Sequence, residues 1–185
     1  MNAVAPELAA LSGQPYELLY ALERRLRTAR LDLAAGSAQA WSGLAFRLRD
    51  WWLVTPRADV REVITPPATT RVPGAKPFLL GIANVRGNLL PVNDLAQWLG
   101  LPREAEHRAQ RVLVFNSERV PVGFLVDEVL GNRQFAPADQ RPEWVAEAGP
   151  LKPYRLGAFA REGRRWLALS LHKLVRSPEF LDAGA

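Results

Sequence analysis

The sequence predicts a mainly β protein of two small sheets or barrels packed together, with one helix added at the N-terminus. Three observations predict it. Short runs alternate between apolar and polar residues, the period of a half-buried strand. Gly, Asn and Asp punctuate these runs where tight turns are needed. Helical spacing is confined to a few segments, and the same run–turn–run idiom occurs in both halves of the chain.

Residues 1 to about 14 are Ala-rich and carry no pattern. Pro15 suits the first turn of a helix, where a missing N–H costs nothing. Leu19, Leu22, Leu26, Ala29 and Leu33 then recur at spacings of 3, 4, 3 and 4, one apolar seam, and Gly36 supplies the stop. Such a seam fits a helix packed on its own domain; a helix that docks on another protein would carry the same one. Beyond a short linker, Leu44, Phe46 and Leu48 alternate with Ala45, Arg47 and Arg49, and Arg49-Asp50 turns into a second strand, Trp51 to Thr55. In ADVREVI, Val60, Val63 and Ile64 are read as one side of a short helical turn. Pro66-Pro67 ends it, and a Pro/Thr/Gly-rich loop runs to Pro77.

Phe78 to Val85 reads as a strand, Gly87-Asn88 as a tight turn, and Leu89 to Val92 as the returning strand. Asn93 or Asp94 can cap a helix carrying Leu95, Trp98 and Leu99, closed by Gly100. The second half repeats the idiom with strands at Arg111 to Phe115 and Val120 to Val126. Asp127 opens a short DEVLG segment, and a proline-rich loop follows. Tyr154 to Ala160 and Trp166 to Leu169 form a last hairpin around Glu162-Gly163, and Ser170 can cap a helix through LHKLV.

Composition narrows the function. The 185 residues contain no cysteine, which excludes disulfides, thiolate metal sites and a cysteine nucleophile. No apolar run approaches the roughly 20 residues that cross a bilayer, and no basic segment precedes an apolar one at the N-terminus. A soluble, cytoplasmic protein is expected. Net charge is +5 with a pI near 10.2, a balance that also suits a nucleic-acid-binding β-barrel. Yet 19 acidic residues are mixed among 24 basic ones, and no long run of one sign occurs. Trp51, Trp98 and Trp166 fall in elements where burial is the simpler explanation.

The catalytic inventory is thin. His107 and His172 are the two histidines, and neither has a second histidine at ligand spacing. The six serines lack an activating neighbour. Asp94 is explained by capping, and Asp127-Glu128 by a turn. No catalytic residue, metal or cofactor is expected.

Residues 78 to 102, FLLGIANVRGNLLPVNDLAQWLGLP, are the informative segment. Its apolar residues are explained by a hairpin feeding a helix, but Arg86 is not. At a sheet rim, a planar guanidinium can pair bidentately with a partner's carboxylate. Gly81 and Gly87 would let another backbone approach. This segment resembles the hairpin of the CheW family of chemotaxis coupling proteins, and ADVREVITPP, VPGAKPFLLG, VGFLVDEVLG and YRLGAFAREGRRWLALSLHKL follow that family's order. The resemblance covers roughly residues 41 to 176, leaving 1–40 as a helical extension and 177–185 as a tail. Such an extension is similar to PilI-type adaptors of type IV pilus and twitching-motility signalling.

The resemblance implies two five-stranded β-barrels side by side and a non-enzymatic adaptor. It implies that such an adaptor joins the cytoplasmic hairpin tip of a chemoreceptor to the regulatory domain of a CheA-like histidine kinase, at receptor arrays near the inner membrane. Arg86, within Asn84-Val85-Arg86-Gly87, would then face the receptor tip, and Val63, Ile64, Ile82 and Leu89 would line an adjoining apolar groove. Two residues depart from the family pattern: Asn93 where an aliphatic residue is usual, and Val85 where leucine is commoner.

Overall fold

Ten strands in two five-stranded sheets make up about half of the chain that the computed structural model describes, namely residues 40–102, 107–117, 120–147 and 149–181. The predicted helix between Pro15 and Gly36 lies outside these residues. The strands are β1 (Trp41–Leu48), β2 (Trp51–Pro56), β3 (Val60–Ile64), β4 (Leu79–Val85), β5 (Asn88–Asp94), β6 (Arg111–Phe115), β7 (Gly123–Val126), β8 (Glu128–Phe135), β9 (Arg155–Arg161) and β10 (Arg164–Leu169). Two short α-helices follow strands, α1 (Leu95–Trp98) after β5 and α2 (Leu171–Val175) after β10, and α3 (Pro178–Leu181) follows α2. Among the described residues no helix is long and apolar enough to cross a membrane.

The first sheet has the order β8-β1-β2-β10-β9 and the second β3-β6-β7-β5-β4. These are one topology entered at different points. β10 and β2 run parallel, as do β5 and β7, and the other neighbours are antiparallel. Gln140 bridges to Phe159 on the outer edge of β9, as Thr70 bridges to Ile82 on β4. A capped helix follows β10 and β5 alike: Ser170 Oγ accepts from Lys173 N, and Asp94 Oδ1 from the N–H groups of Ala96 and Gln97. The second sheet is contiguous in sequence, whereas the first takes two strands from before it and three from after. Neither ladder pairs its first strand with its last, so the expected barrels are strongly curled five-stranded sheets.

Burial explains the curl. β6 alternates between two cores: Val112 and Val114 face the inside of the second sheet with Ala83, Leu90, Val92 and Leu125. Leu113 and Phe115 face the core shared by both sheets, with Phe46, Leu53, Phe124, Leu169 and Leu174. Both faces are therefore dry, which is why RVLVF reads as a continuous apolar run. The inside of the first sheet is aromatic instead. Phe135 and Phe159 stack at 4.5 Å, Trp41 stacks on Phe159 at 5.3 Å, and Trp166 meets Phe135 edge-on at 5.7 Å.

Three readings of the sequence are corrected. Val60–Ile64 is a strand rather than a helical turn; only Arg57–Asp59 is a turn of 3-10 helix. Val60, Val63 and Ile64 are β-branched and pack better on a pleated surface, and β6 offers them an antiparallel neighbour. Glu128–Phe135 is a full edge strand, anchored at its end by the buried Phe135. Within the segment read as a tail, Pro178–Leu181 is helical and Phe180 is buried against Phe78, Phe124 and Trp98.

Candidate functional site

The hairpin of β4 and β5 pairs Val85 with Asn88, so the two-residue loop is Arg86-Gly87, one residue earlier than the sequence reading placed it. Arg86 has φ 53° and Gly87 φ 84°, the left-handed pair that a type I′ turn requires. Glycine adopts this freely, whereas a non-glycine residue there costs on the order of 1–3 kcal/mol. The Oδ1 of Asn84 accepts the Gly87 N–H at 2.9 Å and braces the turn.

Arg86 Nη2 lies 3.0 Å from Glu62 Oε2, with the arginine side chain 78% exposed and the glutamate 25%. Glu62 is on β3 and Arg86 follows β4, so the pair joins the two opposite edges of one sheet. An exposed pair contributes at most about 1 kcal/mol; its effect is to hold a guanidinium at the rim. A helical ADVREVI gives Glu62 no place at the sheet rim; the strand does. The signal that points to it is the β-branched content of the run, Val60, Val63 and Ile64, which favours a strand.

The predicted apolar residues do not form one groove. Ile64 and Val85 pack into the interior of the second sheet. Val63, the neighbour of Ile64, points the other way because successive strand residues alternate, and it is 38% exposed. Leu89 is 68% exposed, and these two with Leu181 are the large apolar side chains left open among the described residues. Ile82 is half-buried, and its backbone exchanges two hydrogen bonds of 2.9 Å with Thr70. Gly81 is used by this same strap, since a Cβ there would lie 2.4 Å from the Thr70 carbonyl oxygen. What the structure brings together is Arg86, Glu62, Asn84 and Gly87.

Other candidate groups are absorbed by the fold. His107 is exposed in a loop, and His172 lies 3.5 Å from Asp59 and edge-on to Phe115 at 4.7 Å. Asn93 is buried while Asp94 does the capping. All six tryptophans pack within the chain. Arg164 covers Trp52 at 3.9 Å, Arg165 covers Trp144 at 4.7 Å, Trp98 meets Tyr154 at 5.0 Å, and Trp51 lies against the shared core. Two basic residues of the last hairpin are thus engaged by rings, and nothing in the arrangement favours stacked nucleobases. Among the described residues, no group of three or more histidines or carboxylates is placed to hold a metal ion.

The sequence profile of the CheW-like domain matches residues 42–179. The chain belongs to the CheW-like domain family. Protein PilI of Pseudomonas aeruginosa is 38% identical over 173 residues, covering 92% of this chain and 96% of that protein. Chemotaxis protein CheW of Thermotoga maritima is 33% identical over 97 residues, or 52% of this chain and 64% of the relative. Protein FrzA of Myxococcus xanthus is 31% identical over 110 residues, covering 60% and 69%. The fold matches a crystal structure of scaffolding protein TtCheW from Thermoanaerobacter tengcongensis. The TM-score is 0.64 at 21% identity, over 76% of this chain and 96% of that one. These CheW-like relatives identify the chain as a chemotaxis-type scaffold adaptor.

Proposed function

We propose that this protein couples a chemoreceptor to a CheA-like histidine kinase, in control of type IV pili and twitching motility. The reading draws on membership of the CheW-like family and on the likeness to PilI over nearly the whole of both chains. It acts without chemistry of its own, as a cytoplasmic scaffold beside receptor arrays.

One observation carries the site assignment: Arg86 stands exposed at a strained turn, tethered to Glu62, with Val63 next to its partner and Leu89 three residues on. A helical hairpin tip supplies apolar ridges for the two aliphatic side chains and a carboxylate for the guanidinium. The apolar anchors supply affinity, and the charge sets register and orientation. Asn84, Gly87 and the backbone of Val85 shape the turn, Ile64 packs within the sheet behind it, and Ile82 holds the strand to Thr70 through its backbone.

The test is a titration of the full chain against a receptor hairpin tip and a kinase regulatory domain, with a random oligonucleotide as control. Saturable binding to either protein, lost in Arg86→Glu while the fold persists, is the expected result. Normal binding by a folded Arg86→Glu protein would overturn the site. Salt-sensitive oligonucleotide binding with no protein partner would overturn the adaptor reading.

A further inference from the structure

Three two-residue hairpin turns in this protein place a non-glycine residue in the left-handed region: Arg49, Arg86 and Glu162, at φ 55°, 53° and 54°. The Arg86-Gly87 and Glu162-Gly163 turns each place both loop residues at positive φ, and they occupy equivalent positions in the two sheets. They differ in one brace. Asn84, two residues before Arg86, accepts the Gly87 N–H. The residue two before Glu162 is Ala160, whose side chain has no acceptor. The second hairpin forms without a brace, so the turn as such does not need one.

We infer that Asn84 is a positioning residue for the partner site: it fixes the turn that aims the Arg86 guanidinium, and it does not itself contact the partner. This rests on the assignment of Arg86 to the partner interface. Type I′ turns favour Asn-Gly, in which the first residue tolerates the left-handed region. Here that place is taken by arginine, which can reach a carboxylate and gives up the local preference. A side-chain acceptor on the adjacent strand supplies the missing constraint from outside the loop. Asn84 is exposed, so its replacement removes the brace without opening the core.

The experiment reads the brace and the binding separately. Hydrogen exchange at the Gly87 amide, followed by NMR on the full chain without partner, reports the hydrogen bond. In Asn84→Ala it is expected to quicken by about threefold to tenfold, with binding of the receptor hairpin tip weakened by a similar factor and the thermal midpoint lowered by no more than a few degrees. Asn84→Ser keeps an acceptor without adding a charge, as Ser117 Oγ accepts from Val120 N in the same i to i+3 arrangement, and loses the amide donor, so it is expected to restore both the protection of Gly87 and the binding.

Unchanged Gly87 exchange in Asn84→Ala would overturn the brace. Asn84→Ser with Gly87 protected but binding still weak would show a direct partner contact and overturn the positioning role. Failure of the underlying assignment looks different: Arg86→Glu would bind normally while Gly87 exchange still answered to Asn84.

Discussion

Asp127 holds Arg49 from across the sequence. Its carboxylate accepts the arginine's main-chain N–H and its guanidinium, each at 2.5 Å, over a separation of 78 residues. The side chains are 4% and 11% exposed, and Arg49 Nε also donates to the Pro102 carbonyl at 3.0 Å. The turn between β1 and β2 is thereby locked to the crossover from β7 to β8, where the chain leaves one sheet for the other.

Removing one partner of a buried pair leaves the other charge uncompensated. Asp127→Ala is therefore expected to lower stability by about 3–5 kcal/mol. Asp127→Asn keeps an acceptor for the main-chain N–H and should lose only about 1–3 kcal/mol. Urea unfolding at constant m-value checks both; a loss below about 1 kcal/mol in the alanine variant would mean that water screens the pair.

Thr55 offers the opposite case. It is fully buried on β2, and its hydroxyl finds no hydrogen-bond partner. Thr55→Val keeps the shape and removes the desolvated polar group, so a gain of about 1 kcal/mol is expected. A fall in the thermal midpoint would show that the hydroxyl is satisfied in solution.

Gly81 has φ 146° and the Thr70 carbonyl 2.4 Å from where a Cβ would stand. Gly81→Ala should cost about 2 kcal/mol or more. Gly157, with open space around it and no positive φ, is the control, and alanine there should be nearly neutral. Equal effects at the two positions would show that the strap carrying Thr70 yields easily.

The pair of Arg86 and Glu62 separates stability from recognition. Because the arginine is largely exposed, Arg86→Glu should change folding free energy by no more than about 1 kcal/mol. The doubly exchanged protein, Glu62→Arg with Arg86→Glu, restores an ion pair but moves the guanidinium off the turn. It is expected to fold normally and still fail to bind. Recovery of binding in the double variant would mean that only the edge-to-edge tether matters.

The strands that were legible in the sequence are those bounded by turns or dry on both faces. β1, β2, β4, β5, β9 and β10 flank two-residue loops, and β6 and β7 are runs of buried residues. β3 was hidden by a bulge between Val60 and Glu62, which puts its alternation out of phase. β8 was hidden because EVLGNRQF is a half-exposed edge strand whose one fully buried side chain is Phe135. The site was legible in part for the same reason. Arg86, Asn84 and Gly87 are close in sequence and their chemistry is local. Glu62 is supplied by the far edge of the curled sheet, a closeness no spacing announces. The misread helix also set Val63 and Ile64 on one side, where a strand sends them to opposite faces.

The two sheets make unequal demands on the growing polypeptide. By the time residue 126 has left the ribosome, every strand of the second sheet exists, and it can assemble while synthesis continues. The hairpin of β1 and β2, made earlier, must wait for β10, which ends at Leu169. Until then Trp41 lacks its neighbours Phe135 and Phe159, and the edge of β2 stands open to any passing strand. A message cut short between these points yields no half-working adaptor. The product's second sheet has every strand but lacks Leu169 and Leu174 over Leu113, Phe115 and Phe124. β1 and β2 lack their later neighbours, so apolar surface and strand edges stay open to aggregation.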